Sequence, residues 1–481
     1  MCEKQLASKV EHFKSKLQAA NAECRKLRGR NKELLASNEH QRSKVKKLRE
    51  AARLHVAKCS GTIGCLPSGG EIRGHKYGLS IVSLCIGLYA YAGCSFRGVV
   101  KVLLYLQIEL QLQWAELPSK SSVENWVQKL GLHAYSAAAG PDLYKTGYGL
   151  ILDESMVIGQ QRMMLVLGVA AEKVGKGAIG AADVTVLAME VKPSWTAADI
   201  EELLEKVQAK MGKRAAYVVS DGNANLRSGI QKANLPRIAD VGHQIALALE
   251  HTYKPDDTFS GFMKEVAQVR FREVMRPTAY LLPPQQRTIA RFMNLSPVFA
   301  WASKMLRVLP GLSDDEKRVF GFLDNYRPLI AEMEAVFKMT HSILKKLKQE
   351  GLSVPVIEEC RGICRQFAPQ VPAKLCALVE KYLLDHSDKI PDGQTVWHAS
   401  SDVIESLFGK FKSITAPNKL HGVTPLALML CVMTQFADRP IDFKTEIANA
   451  LTSVSIADLK QWKHDHLVDN QVVRRNATFK K

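Results

Sequence analysis

The chain has 481 residues, 46% of them hydrophobic and 24% charged, enough apolar material for two or three packed domains and too much for a disordered polymer. Its formal net charge of +18 suits a polyanionic partner, because each phosphate neutralised releases condensed counterions. The longest apolar stretch, residues 79–92, is too short to cross a bilayer, the N-terminus is charged from Glu3 onward without a signal-peptide pattern, and the ten cysteines have no framework spacing. A membrane-spanning protein and a disulfide scaffold are therefore excluded, and free thiols in a reducing compartment are expected.

Residues 1–57 are rich in Lys, Arg, Glu, Leu and Ala. A heptad fits them, with Val10, Leu17, Cys24, Asn31, Asn38 and Val45 at one seam position and Leu6, Phe13, Ala20, Leu27, Leu34, Gln41 and Leu48 at the other. This predicts a basic coiled coil. The flanking cations include Arg28 and Arg30, candidates for DNA phosphate contacts and otherwise a solvated face or one side of a helical hairpin. Residues 58–77 hold Gly61, Gly64, Pro67, Gly69 and Gly70 and read as a linker. His55, Cys59, Cys65 and His75 match no familiar zinc spacing, so loop or core roles are the default.

Residues 78–135 predict three short helices. The first covers residues 79–91, the second is N-capped by Ser95, and the third starts near Ser121 and is closed by Gly131. This pattern resembles a helix-turn-helix. If the third helix enters a major groove, Lys120, Ser122 and Asn125 are base-facing candidates beside Ser119 and Glu124. Any three-helix bundle gives the same pattern, and Trp126 is core either way. Residues 136–147 read as a second linker.

Short apolar runs follow: Gly149-Leu150-Ile151-Leu152 ending on Asp153, Met163-Met164-Leu165-Val166-Leu167, and Val184-Thr185-Val186-Leu187-Ala188-Met189. An amphipathic segment, residues 197–211, leads to Ala216-Tyr217-Val218-Val219 ending on Ser220-Asp221-Gly222, and Ile238-Ala239 meets Asp240-Val241-Gly242-His243. These predict three antiparallel strands, a crossover helix and further strands. Two strands end in an aspartate, which is costly at a buried mouth unless the charge is paired or binds a metal. Residues 244–397 show no alternation and read as helices punctuated by Pro277, Pro283-Pro284, Pro297, Pro310 and Pro355. Around Glu405, the residues Ile404, Leu407, Phe408 and Phe411 share one helical face, with Asp402, Glu405 and Lys412 beside it. Residues 441–481 read as a mobile basic tail.

The order of strands and acids resembles the ribonuclease-H-like catalytic core of the DDE transposases and integrases. There the first acid lies on the first strand, the second just after the fourth strand and the third on a later helix. Asp153, Asp221 and Glu405 match these positions. Asp240-x-x-His243 resembles the C/D-x-x-H signature of transposase superfamilies with all-helical insertions, such as the hAT and Mutator-like groups. The resemblance covers residues 146–243 and 396–435.

The resemblance implies an α/β fold: a ribonuclease-H-like mixed-sheet core in two parts, 146–243 and 398–440, split by the all-α insertion 244–397. A coiled coil and a helix-turn-helix would precede it. Catalysis by Asp153, Asp221, Glu405 and His243 is implied, with two Mg²⁺ (or Mn²⁺) ions on the three acids, cleavage of DNA at element ends and strand transfer into a target. Partners would be double-stranded DNA and a second copy paired through the coiled coil, in a bacterial nucleoid or a eukaryotic nucleus. Alternatives stay open residue by residue. Asp153 and Asp221 can be turn residues, Asp402 can replace Glu405, and His243 can be structural. Trp397 can be core or stack on an extruded base. The rival function is a DNA-binding protein derived from such an enzyme without its catalysis; a plain ribonuclease H or resolvase would not need the basic N-terminal arm.

Overall fold

The computed structural model describes residue 72 and residues 74–112, 114, 116–157, 161–285, 292, 295–392, 395–415, 422–436, 444–469 and 471–479. The predicted coiled coil, with Arg28 and Arg30, and three of the four residues weighed for zinc lie outside them. The fourth, His75, has its Nε2 3.1 Å from the Leu451 carbonyl oxygen.

The chain folds around a five-stranded mixed sheet in the order β3-β2-β1-β4-β5. Strands β1 (Tyr148–Val157), β2 (Gln161–Ala170) and β3 (Val184–Lys192) form an antiparallel meander, with Tyr148 opposite Ala170 and Val157 opposite Gln161. Strands β4 (Val218–Ser220) and β5 (Arg237–Ala239) add in parallel on the other side of β1. The expected three antiparallel strands, crossover helix and two further strands are all present.

Alternation along the strands separates two cores. Leu150, Leu152, Met164, Val166 and Val218 face one side, where α4 (Ala197–Met211) and α5 (Ala224–Lys232) cover them. Helix α4 begins on a Thr196/Asp199 capping box and buries Ile200, Leu203, Leu204, Val207 and Met211, the stripe that a period of 3.6 predicts. Ile151, Met163, Leu165, Leu167 and Val219 face the opposite, larger core.

That larger core is built partly from the segment expected as a helix-turn-helix: α1 (Leu79–Ala90), α2 (Phe96–Glu109) and α3 (Lys120–Ala137). Ser95 and Ser119 accept the capping N–H bonds of α2 and α3. Gly131 does not close α3, which continues to Ala137. A Cβ on Gly131 would lie 2.3 Å from the Leu428 carbonyl oxygen, so this glycine permits close approach of the backbone leading into α14. Gly131→Ala is expected to cost about 1–3 kcal/mol through overpacking. A lowered urea midpoint at unchanged slope checks this, and an unmoved midpoint contradicts it.

Helices α6 (Val241–Tyr253) through α12 form the all-helical segment after β5: α7 (Asp257–Glu273), α8 (Ser296–Val308), α9 (Asp314–Phe320), α10 (Arg327–Glu350), α11 (Val354–Phe367) and α12 (Ala373–Ser387). Pro297, Pro328 and Pro355 sit in first turns, where no N–H is needed. An isolated antiparallel bridge, Leu352 with Trp397, joins the turn between α10 and α11 to the end of this segment. Then come α13 (Asp402–Thr415) and α14 (Met429–Gln435).

The C-terminal residues expected as a tail hold α15 (Lys444–Ser453), α16 (Ile456–His466) and α17 (Gln471–Phe479). Ile447, Ala450, Leu451, Leu459 and Trp462 are buried in the larger core, while α17 buries nothing. Their helical spacing is the cause. Among the described residues no helix is long and apolar enough to cross a membrane, and the described cysteines are free thiols.

Candidate functional site

The parallel pairing of β1 with β4 ends at Leu152 opposite Ser220, where β4 stops. Strand β1 itself continues along β2 to Val157, so Asp153 lies within the strand and not at its end as the sequence suggested. The residues after the last pair are Asp153 and Asp221, on strands that run about 4.8 Å apart. Both sit two residues beyond side chains of the larger core, Ile151 and Val219, so alternation sends them to the same side of the sheet. Asp153 Oδ1 accepts the Glu154 N–H at 2.8 Å. Burial, reinforced by the charges of Asp221 and Glu405, pushes the Asp153 carboxyl up to about 7. Asp221 Oδ1 accepts the Asn223 N–H at 2.9 Å, closing the turn into α5. Arg237 clamps that turn from below, its Nε donating to Ser220 Oγ at 2.8 Å and its Nη2 to the Ser220 and Asp221 carbonyls.

The helix bearing the third acid is held by Asp240. This carboxylate is 1% exposed, yet both oxygens are fully used. Oδ1 caps α6 by accepting the His243 N–H at 2.7 Å and faces His243 Nδ1 at 2.9 Å. Oδ2 accepts the Ser401 N–H at 2.6 Å and Ser401 Oγ–H at 3.0 Å. Glu405 N–H in turn donates to the Ser401 carbonyl at 3.2 Å, so one buried carboxylate fixes both His243 and the start of α13. Burial raises the Asp240 carboxyl, but the bonds from His243 and Ser401 outweigh it and hold it below the ordinary value.

His243 Nε2 lies 4.0 Å from Glu405 Oε1. Its bond to Asp240, opposed by desolvation, lifts the imidazole to about 9, with the charges of Glu405 and Asp221 assisting. Burial moves the Glu405 carboxyl above its ordinary value, while the His243 charge pulls it back. Asp153, Asp221, His243 and Glu405 thus share one electrostatic neighbourhood. Asp402, the other candidate for third acid, is instead ion-paired with Lys348 of α10.

A folded-state value near 9 against 6.5 for free histidine means the His243–Asp240 interaction is complete below about pH 6.5. It is lost as the pH rises through 9. Unfolding free energy of the metal-free protein is therefore expected to fall between those values, and His243→Asn should flatten that part of the profile. Parallel profiles for the two proteins would contradict the assignment.

Supporting residues were not evident from sequence. Gly149 leaves room for the Tyr217 ring, which would meet a Cβ there at 2.2 Å. Tyr217 stacks on Trp397, with ring centroids 4.9 Å apart, and its Oη accepts the His398 N–H at 2.7 Å. Trp397 is 4% exposed and belongs to the core. The open edge of β5 is covered by α12: His386 Nε2 accepts the Ala239 N–H at 2.9 Å, and Tyr382 Oη donates to the Ala239 carbonyl at 3.0 Å. Just past α12, Lys389 Nζ donates to the Arg237 carbonyl at 2.9 Å. These side chains take the place of a further strand. The local signals were an Asx cap three residues before His243 and the paired serines before α13, but neither names its distant partner.

The predicted groove-reading residues lie at the start of α3. Lys120 pairs with Glu124 at 2.9 Å, Ser122 Oγ lies 3.0 Å from Ser119 Oγ, and Asn125 is exposed. Trp126 is buried edge-on against Tyr77 at 5.5 Å.

As placed, no group of three or more His, Cys, Asp or Glu side chains among the described residues is close enough to hold a metal ion. Comparison with models of known protein families finds no match, and comparison with curated protein sequences finds none.

Proposed function

We propose that the chain is a DDE-type transposase: a ribonuclease-H-like polynucleotidyl transferase that cuts DNA at element ends and joins the freed strand to a target. The observation that carries this reading is the electrostatic neighbourhood shared by Asp153, Asp221, Glu405 and His243 where the parallel pairing of β1 and β4 ends in a 3-2-1-4-5 sheet. The charge of +18 supports a DNA partner. The exposed start of α3 supports an end-recognition role for Lys120, Ser122 and Asn125. Pairing of two copies through residues 1–57, with Arg28 and Arg30 on phosphates, belongs to the same proposal.

The donor set suits Mg²⁺, which takes hard carboxylate oxygens and keeps several waters. The charges of Asp221 and Glu405 add to burial in raising the proton affinity of Asp153, a strain that a divalent cation relieves. Asp153 on β1 and Asp221 just past β4 would hold the ions, and Glu405, with three free side-chain torsions, would supply the adjustable third donor. Two such ions, when bound, activate the attacking oxygen and stabilise the leaving oxygen of an in-line displacement at phosphorus. Asp240 orients His243 and the first turn of α13, and His243, charged at neutral pH, has its Nε2 beside Glu405.

The test is incubation of the purified full chain with duplex DNA carrying the sequences that flank its own gene, with Mg²⁺ or with a chelator. Nicking or double-strand cleavage that requires Mg²⁺ supports the proposal. Tight binding without cleavage under any divalent ion would favour a DNA-binding protein without catalysis.

A further inference from the structure

Large apolar groups at and just beyond the C-terminal end of α7 are exposed, Tyr280 among them with its Oη donating to Glu316 of α9. Phe271 is 85% exposed, Met275 93%, Tyr280 74% and Val274 51%. Lys264, Gln268 and Phe271 follow one outer stripe of α7 at helical spacing, and the stripe continues past the helix end to Met275. Arg272 and Arg276 flank it and are also exposed.

The acids of this stretch are held by neighbouring groups. Glu273 is 6% exposed, accepts from Thr278 Oγ1 at 2.8 Å and lies 3.8 Å from Nε of the still exposed Arg276, and Glu265 accepts from Tyr326 Oη at 2.9 Å. The face is therefore apolar at its centre and positive around it. An apolar patch of this kind marks an interaction site. A second copy of a chain at +18 would bring like charges together here. Duplex DNA brings phosphates to the rim and stacked bases to the centre.

We infer that this end of α7 is a DNA-deforming surface, in which Phe271 and Met275 enter between base pairs as a wedge while Lys264, Arg272 and Arg276 hold the flanking phosphates. Side chains of this type unstack a base step and bend the duplex, and the cost is least where stacking is already interrupted. The inference rests on the DNA reading above and adds to it a second contact surface, separate from the acids.

The full chain is titrated onto an intact duplex and onto the same duplex with a two-nucleotide bulge, with 2-aminopurine beside the bulge. The wild type is expected to bind the bulged duplex about tenfold more tightly, as base–aromatic stacking allows, and to raise the 2-aminopurine fluorescence. Phe271→Ser with Met275→Ser should erase both effects while keeping the affinity for intact DNA and the melting temperature, since both side chains already stand in water. Arg272→Gln with Arg276→Gln should weaken binding to both duplexes and reduce the salt slope by about two.

A serine variant that keeps the bulge preference and the fluorescence change overturns the inference. So does one that binds both duplexes normally but sediments as a smaller species, which would make the patch a protein interface. In both cases Mg²⁺-dependent cleavage would survive and the functional reading with it. A wild-type chain that binds neither duplex overturns both.

Discussion

Replacing Asp221 by asparagine is expected to reduce Mg²⁺-dependent DNA cleavage by roughly a thousandfold, equivalent to about 4 kcal/mol of transition-state stabilisation. DNA affinity and melting temperature should stay close to wild type. The substitution keeps the Oδ1 acceptor that closes the turn onto Asn223 and removes only the negative charge. Asp153→Asn and Glu405→Gln should fall as far, and a double variant little further, because residues that act as one unit do not lose activity additively. Asp402→Asn supplies the contrast. Its carboxylate is committed to Lys348, so activity should remain within a few-fold. Cleavage that persists in the Asp221 variant would remove the catalytic assignment, and loss of DNA binding would point to a disturbed core.

Asp240→Ala is expected to have the largest effect on stability. The carboxylate takes four hydrogen bonds, two from His243 and two from Ser401, at a position only 1% exposed. Truncation leaves the His243 imidazolium without its counter-charge and the Ser401 N–H without an acceptor. Breaking a buried ion pair by removing one partner costs about 3–5 kcal/mol. Asp240→Asn should lose less, since one oxygen still accepts from α6 while the amide NH₂ meets the Ser401 donors. Denaturant unfolding at pH 6, where the pair is fully formed, reads both values. A loss below about 1 kcal/mol for the alanine variant would mean that the pair is not the strut described.

How much of this was legible in sequence depended on the distance over which the cause acts. The strands that carry Asp153 and lead to Asp221 announced themselves because alternation is local, although β1 runs on past Asp153 to Val157. The stripe of Ile404, Leu407, Phe408 and Phe411 placed Glu405 on a helix for the same reason. What joins the pieces was not legible. Asp240 meets Ser401 across 161 residues and Ala239 meets His386 across 147, and no periodicity encodes such pairs. Gly131 misled because a helix-stop glycine and a close-approach glycine look alike until Leu428 is in place. The C-terminal helices were passed over because the basic end of the chain, with Arg474, Arg475, Lys480 and Lys481, drew attention from the spacing of Ile447, Leu451, Leu459 and Trp462, which pack into the core. Trp397 had two readings, and its stacking on Tyr217 gives it to the core.

The most direct test is to count the divalent ions. Mn²⁺ can be titrated into the full chain in the presence of flanking-sequence duplex and followed by electron paramagnetic resonance. Two bound ions are predicted for the wild type, and neither should remain when Asp153, Asp221 and Glu405 are changed together to Asn, Asn and Gln. Binding undiminished by the triple substitution, or no bound Mn²⁺ in the wild-type complex, would contradict the account.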